Sequence, residues 1–192
     1  MARNVRTRTL SMAVIRRLCG LILRHLAGLE FDLFENGRPQ VLRRSYLRWM
    51  RVQHGPQMAI GSGIYIRMKE NLILGNRCAL GSYTRIWNYA PIEIGEDFLG
   101  AAGLTLNSGT HDPVTLESAG LPIRIGKRVW CGQNATILAG VTIGDDVVIG
   151  AGSVVVHDIP PRSIAAGVPA RVIKPLNRTG PFVHPLFSAA VS

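Results

Sequence analysis

The sequence predicts a mainly β chain wound as a solenoid of short strands, with one loop pushed out of the coil and a helical arm ahead of it. Three observations carry this expectation. In "IGDDVVIGAGSVVV" (143–156) an aliphatic residue returns every sixth position, a spacing that suits neither a helix nor an alternating strand. A glycine follows two of those lead residues. The period then fails over "NSGTHDPVTLESAGLP" (107–122), with regular repeats on both sides of it.

The arm comes first, over residues 1–55. It holds eleven arginines against Glu30, Asp32 and Glu35, a net charge of +8, whereas residues 56–192 carry only +2. The chain's +10 is therefore concentrated in the arm. Within "SMAVIRRLCGLILRHLAGL" (11–29), Arg16, Arg17 and Arg24 interrupt the apolar run, which argues against a spanning helix and against a signal peptide. Val14, Ile15, Leu18, Ile22, Leu26 and Leu29 fall near one face, as in an amphipathic basic helix. That face either packs on the rest of the protein or lies on an anionic membrane surface. A nucleic-acid partner is not expected, because the arm lacks a recognisable motif and offers only Tyr46 and Trp49 as interleaved aromatics.

The repeat body occupies residues 56–176. From Ile125, steps of six land on Cys131, Ile137, Ile143, Ile149 and Val155, all apolar. Four residues after each lead stand Val129, Ala135, Val141, Val147, Ser153 and Ile159, all small or branched. Upstream the rule recurs through Ile60, Ile66 and Leu72, through Leu74, Leu80, Ile86 and Ile92, and through Ile94, Gly100 and Leu106, with two-residue slips at 72–74 and 92–94. Such a period marks a β-solenoid in which the lead residue points inward and three strands close a triangular turn of about eighteen residues. Glycine suits corners where a side chain would be penalised. The period itself does not fix the handedness. A tail over 177–192 completes the chain.

With 47% apolar residues the chain has the means to build a core and is not a disordered tail. Cys19, Cys78 and Cys131 are too few and too scattered for a disulfide framework or a zinc site, which predicts a reducing, cytoplasmic setting. Cys131, at an inward lead position, is a packed residue and not a nucleophile. Function is expected at the break in the period, because a loop leaving a rigid coil is held in place from behind. His111 stands where that loop begins. An imidazole, with an ordinary pKa of about 6.5, is mostly neutral near pH 7 and can accept a proton from a hydroxyl as a bond forms.

The repeat arrays, "NSGTHD" and the closing "AAGVPARVIK" together resemble the left-handed parallel β-helix acyltransferases of hexapeptide repeats. The nearest branch is the acetyl-CoA-dependent O-acetyltransferases of sugars, polysaccharides and nodulation factors, and the resemblance spans about residues 58–176. It implies that His111 is the general base and that acetyl-CoA is the acyl donor, with no metal. It also implies a homotrimer with active sites between neighbouring coils and a sugar-containing acceptor, either small or lipid-linked. Trp130 matches a tryptophan beside the donor. Gly132, Ala151 and Gly152 match small positions along the pantetheine arm, and Arg171 and Lys174 match cations that meet the nucleotide phosphates. Val156 and His157 depart from the Thr-Lys of many relatives, which weakens the expected contacts there. Asn88 falls where relatives carry acceptor ligands, and Tyr83 and Trp87 nearby are placed to stack on a sugar acceptor or to cover the coil. Asp112 is a further acceptor candidate and a candidate carboxylate to orient His111, although a turn-forming role before Pro113 competes with both.

Other functions remain to be weighed. A γ-type carbonic anhydrase on the same solenoid needs three histidines around zinc, and His25, His54, His111, His157 and His184 show no suitable spacing. An amino-sugar N-acetyltransferase would use the same residues. A non-enzymatic scaffold with a basic membrane- or RNA-binding arm would leave His111 and its loop without a purpose. The expected location is the cytoplasm, with peripheral contact at the inner membrane face through the arm.

Overall fold

A computed structural model describes residues 47–48, 52–179, 182 and 184–187. The amphipathic helix expected at 11–29, and with it any membrane-facing surface, lies outside the described residues. Leu47 is buried beneath the first coil, and Val52 N–H donates to its carbonyl.

The repeats form a parallel β-helix with three faces. The first face stacks Gln53–His54, Leu72–Leu74, Ile92–Ile94, Ile123–Ile125 and Thr142–Ile143. The second stacks Met58–Ile60, Cys78–Leu80, Leu99–Gly100, Trp130–Cys131, Val148–Ile149 and Ser163–Gly167, and ends in the antiparallel strand Ala170–Pro175. The third stacks Tyr65–Ile66, Arg85–Trp87, Thr105–Asn107, Thr136–Ile137 and Val154–Val155. Strands this short cannot pair side by side within one coil; each bonds to the coil above and the coil below. The lead residues of the six-residue period all point into the shared interior, from Ile60 through Ile125 and Ile137 to Val155. Gly100 takes a lead position because the interior there is filled by Phe98 and Leu104, which a Cβ would meet at 3.0 and 2.7 Å.

The coil length differs from the uniform eighteen residues expected. Leu80 sits over Ile60 and Gly100 over Leu80, twenty residues apart, whereas Ile149 sits over Cys131 after eighteen. The two-residue slips are the cause. On the first face Leu72 and Leu74, and then Ile92 and Ile94, both turn inward around an outward middle residue, so the extra pair is absorbed without a shift of register.

Two corners are built from left-handed residues. Between the first and second faces these are Arg77, Asp97, Arg128, Asp146 and Arg162, with φ between 52° and 59°. Their charges alternate up the stack. Arg77 pairs bidentately with Asp97, and Arg128 with Asp146. The tail crosses this corner: Leu176 N–H donates to the Arg162 carbonyl, Arg178 binds Asp146 at 2.7 Å, and His184 is buried against Phe98. The His184 Nε2–H donates to the Phe98 carbonyl, while Nδ1 accepts from Leu186 N–H. That pattern fits only a neutral ring, and burial pushes the His184 pKa below its ordinary value. The unfolded chain therefore takes up this proton at higher pH than the folded one. The tail's contribution is complete above about pH 6.5 and is lost as pH falls through the lowered value. Thermal unfolding at pH 7.5 and pH 5.5 should show a destabilisation that His184→Gln reduces; an equal drop in both proteins would show that this clasp does not titrate.

Candidate active site

The hairpin is made where the chain passes from the third face to the first. Gly109–His111 pairs antiparallel with Ser118–Gly120, with His111 opposite Ser118. Its turn is tied by the Asp112 carboxylate, which accepts from Val114 N–H and Thr115 N–H, both at 2.8 Å. Those bonds, chiefly the one from Thr115, hold the Asp112 carboxyl below its ordinary pKa. Leu116 closes the turn in the left-handed region at φ 59°. Its carbonyl then faces back along the hairpin and lies 3.0 Å from His111 Nδ1. A carbonyl only accepts, so Nδ1 carries the proton and the neutral ring presents a bare lone pair at Nε2.

A cleft of about 540 Å³ lies under the hairpin, lined by Arg67, Trp87, Tyr89, Thr105, Asn107 and residues of the hairpin itself, including His111. Stacking brings these together from three successive coils. Tyr89 is pressed so close to the hairpin root that a Cβ on Gly109 would lie 2.5 Å from its ring, so only glycine fits there. Below it, Asn71 Nδ2 donates to the carbonyls of Asn88 and Tyr89. Ser108, fully buried, holds the same corner through Ala90, accepting from its N–H and donating to its carbonyl at 2.9 Å each.

Several residues expected at the site have other work. Asn88 is fully buried: Met68 N–H donates to its Oδ1, and its Nδ2 donates to the Met68 carbonyl. Its amide clamps two coils and is not free to contact an acceptor. Asp112 has the turn-forming role that competed with acceptor binding, with Oδ1 accepting both N–H groups. Tyr83 projects from the corner between the second and third faces, at φ 60° and against Gly63, away from the His111 cleft of its own chain. At Gly132 a Cβ would sit 2.6 Å from the Ala151 backbone, so coil stacking by itself already requires glycine there. Gly152 differs: φ is 67° and a Cβ would meet nothing within 4 Å, so its corner opens outward.

Trp130 is half exposed on the second face, beside Leu99, Phe182 and Pro185. Ala151 and Gly152 lie at that face's far corner, and Arg171 and Lys174 are exposed on the strand Ala170–Pro175 at its end. These five therefore share the second face and its margin, whereas His111 stands at the opposite corner of the triangle. The outward column of the second face is apolar throughout, from Ala59, Ala79 and Leu99 to Trp130, Val148 and Ile164. On the first face the corresponding column reads Ile73, Glu93, Arg124 and Thr142. Cys131 is enclosed, and burial pushes its thiol up to about 12, far from a reactive thiolate. Among the described residues, no group of three or more His, Cys, Asp or Glu side chains is placed to hold a metal ion. No described helix is long and apolar enough to cross a membrane.

The geometry can be set against known proteins. Residues 122–157 match the family model "Bacterial transferase hexapeptide (six repeats)". The galactoside O-acetyltransferase of Escherichia coli strain K12 is 37% identical over 141 residues, covering 70% of this chain and 69% of that protein. Among solved structures, a maltose O-acetyltransferase from Clostridium difficile 630 superposes with a TM-score of 0.70 at 29% identity, over 88% of this chain and 90% of that one. A galactoside acetyltransferase in complex with coenzyme A gives 0.67 at 30% identity, over 89% and 86%. This chain belongs to the hexapeptide-repeat transferase family and is an acyltransferase, close to the galactoside and maltose O-acetyltransferases.

The signal that sequence reading lacked was three-dimensional. Arg67 and Tyr89 belong to no motif, and the group that orients His111 is a backbone carbonyl, invisible in residue type. Asn88→Ala should behave as a structural lesion, leaving the Met68 N–H and carbonyl unpartnered at a cost of about 1–3 kcal/mol. Denaturant unfolding with a lowered midpoint and unchanged slope is the expected result; full stability with a raised acceptor KM would restore Asn88 to the site.

Proposed function

We propose that the chain transfers an acetyl group from acetyl-CoA to a hydroxyl of a sugar-containing acceptor, with His111 as general base. One observation carries this reading: the Leu116 carbonyl fixes the protonated nitrogen of His111 and leaves Nε2 free at the cleft. In the proposed reaction, Nε2 takes the acceptor hydroxyl's proton as its oxygen attacks the thioester carbonyl, forming the C–O bond. Collapse of the tetrahedral intermediate breaks the C–S bond, and the imidazolium returns the proton to the departing sulfur. Backbone N–H groups at a coil corner would hold the oxyanion. Neither a metal nor a covalent enzyme intermediate is required.

The donor's place in this reading is along the second face. Trp130 would flank the acyl end, the open corner at Ala151 and Gly152 would pass the pantetheine arm, and Arg171 and Lys174 would meet the phosphates. His111 and these residues stand on opposite sides of one prism, so a single copy holds half of each site. A second copy set against the apolar second-face column would bring its own hairpin to that donor strip. Repeating this contact around a threefold axis closes a homotrimer with three equal sites. The hydroxyl acceptor rests on the likeness to the galactoside and maltose O-acetyltransferases. The division into a basic arm (1–55), catalytic β-helix (56–176) and tail (177–192) belongs to the same proposal, with the arm's charge suited to an anionic membrane surface.

His111→Ala should keep the coil, since the side chain is exposed and bonded only within its own hairpin. Turnover should fall by roughly 10²–10⁴, the usual loss for a general base. Acceptor-dependent CoA release checks this, alongside acetyl-CoA binding by calorimetry. Activity within threefold of the parent would remove His111 from the mechanism.

A further inference from the structure

We infer that the acceptor carries an anionic group, a carboxylate or a phosphate, which Arg67 holds in the His111 cleft. The inference rests on the reading of that cleft as the acceptor site. Its lining contains a guanidinium and the imidazole of the base but no aspartate or glutamate. The Arg67 Cζ lies 4.4 Å above the centre of the Tyr89 ring, and among the described residues no carboxylate pairs with it. Arginines that hold this fold together are built differently: Arg77, Arg128 and Arg178 each meet an aspartate of the charged corner.

A guanidinium held over an aromatic ring by cation–π attraction keeps N–H donors available to an anion. Those donors form the fork that matches a carboxylate or phosphate with two parallel hydrogen bonds. Gly109 leaves room for the Tyr89 ring at the hairpin root, and Asn71 Nδ2 donates to the Tyr89 carbonyl. Arg67, exposed at the cleft and lying over the Tyr89 ring, is placed to act as a recognition group. Trp87, packed against Tyr65 with centroids 4.7 Å apart and rings tilted by 43°, supplies an apolar wall suited to a sugar ring. A wholly neutral acceptor would leave the cation without a partner inside the cleft.

The donor's phosphates do not explain Arg67. Arg67 follows the first-coil strand Tyr65–Ile66, whereas Arg171 and Lys174 lie on Ala170–Pro175, the seventh and last strand of the second face. At about 4.8 Å per strand spacing the two ends of the second face are roughly 29 Å apart along the axis. In a trimer with parallel axes the neighbour's donor strip is just as distant. The anion at Arg67 therefore belongs to the acceptor side.

Matched acceptors test this with the full chain: galactose against galacturonate, glucose against glucuronate, and glucose against glucose 6-phosphate. The measurement is kcat/KM for CoA release, with saturation-transfer NMR reporting binding of each sugar independently of turnover. The expected result is at least a tenfold preference for the anionic member of one pair, weakened by salt. Arg67→Gln should bring that ratio close to one, and Arg67→Lys should keep part of it. A carboxylate source and a phosphate source are separated by which pair shows the preference. Equal use of neutral and anionic members by the parent protein would overturn the inference while leaving sugar O-acetylation standing. So would an Arg67→Gln protein that keeps the preference, or failure of every anionic sugar to bind. Failure to bind acetyl-CoA or to acetylate any sugar would instead count against the underlying enzyme reading.

Discussion

Everything in this molecule depends on hydrogen bonding along the axis, coil to coil. A strand of two or three residues has no partner within its own turn, so its N–H and carbonyl groups are satisfied only by the same position one coil above and one coil below. This forces a constant register. A constant register stacks like on like: inward aliphatics into one ladder, left-handed corner residues into columns, and outward side chains into stripes of a single character. At Gly132, where a Cβ would strike the next coil's backbone at 2.6 Å, the constraint allows no side chain at all. The same rule lets two extra residues be absorbed at Leu72–Leu74, since a three-residue strand with both ends inward keeps the ladder intact.

Function follows from where that rule is relaxed and from what the stripes leave exposed. At the corner between the third and first faces the chain leaves the coil as a hairpin, and the antiparallel pairing of Gly109–His111 with Ser118–Gly120 replaces the axial bonds there. The coils beneath remain rigid through Asn88 and Ser108, whose buried side chains tie their corner to the coil below. The hairpin is thereby seated on a fixed floor, and the His111 ring is oriented by a backbone carbonyl rather than by a carboxylate. The second face keeps an apolar stripe that no described part of the chain covers completely, with Trp130 at its centre. The C-terminal tail runs along one margin of that stripe, held by Arg178 on Asp146 and by the buried His184.

The solenoid was legible because its period is a direct image of the axial register: each sixth residue must be apolar, and from Ile125 to Val155 each one is. The hairpin and His111 were legible for the complementary reason, as an interruption of that period. Corners were less legible. Asn88 and Tyr83 lie five residues apart, yet one is sealed inside a corner and the other projects from a different one, because orientation there depends on how each coil absorbs its extra residues. Glycine was ambiguous as a letter, with Gly132 serving stacking and Gly152 an open corner. Arg67 carried no signal at all, since only the stacking of coils brings it beside a histidine from the third turn.

The central claim is that base and donor strip act together only across two copies. Co-expression of differently tagged His111→Ala chains with Arg171→Ala/Lys174→Ala chains, followed by isolation of doubly tagged assemblies, tests it most directly. Each variant alone should be nearly inactive. If each site joins the hairpin of one copy to the second face of the next, every mixed trimer of either composition keeps both parts intact at one of its three sites, and activity should recover toward about one third of the parent level. Mixed assemblies no more active than the average of the two parents would contradict the account, and would place His111 and the two cations in a site made by a single chain.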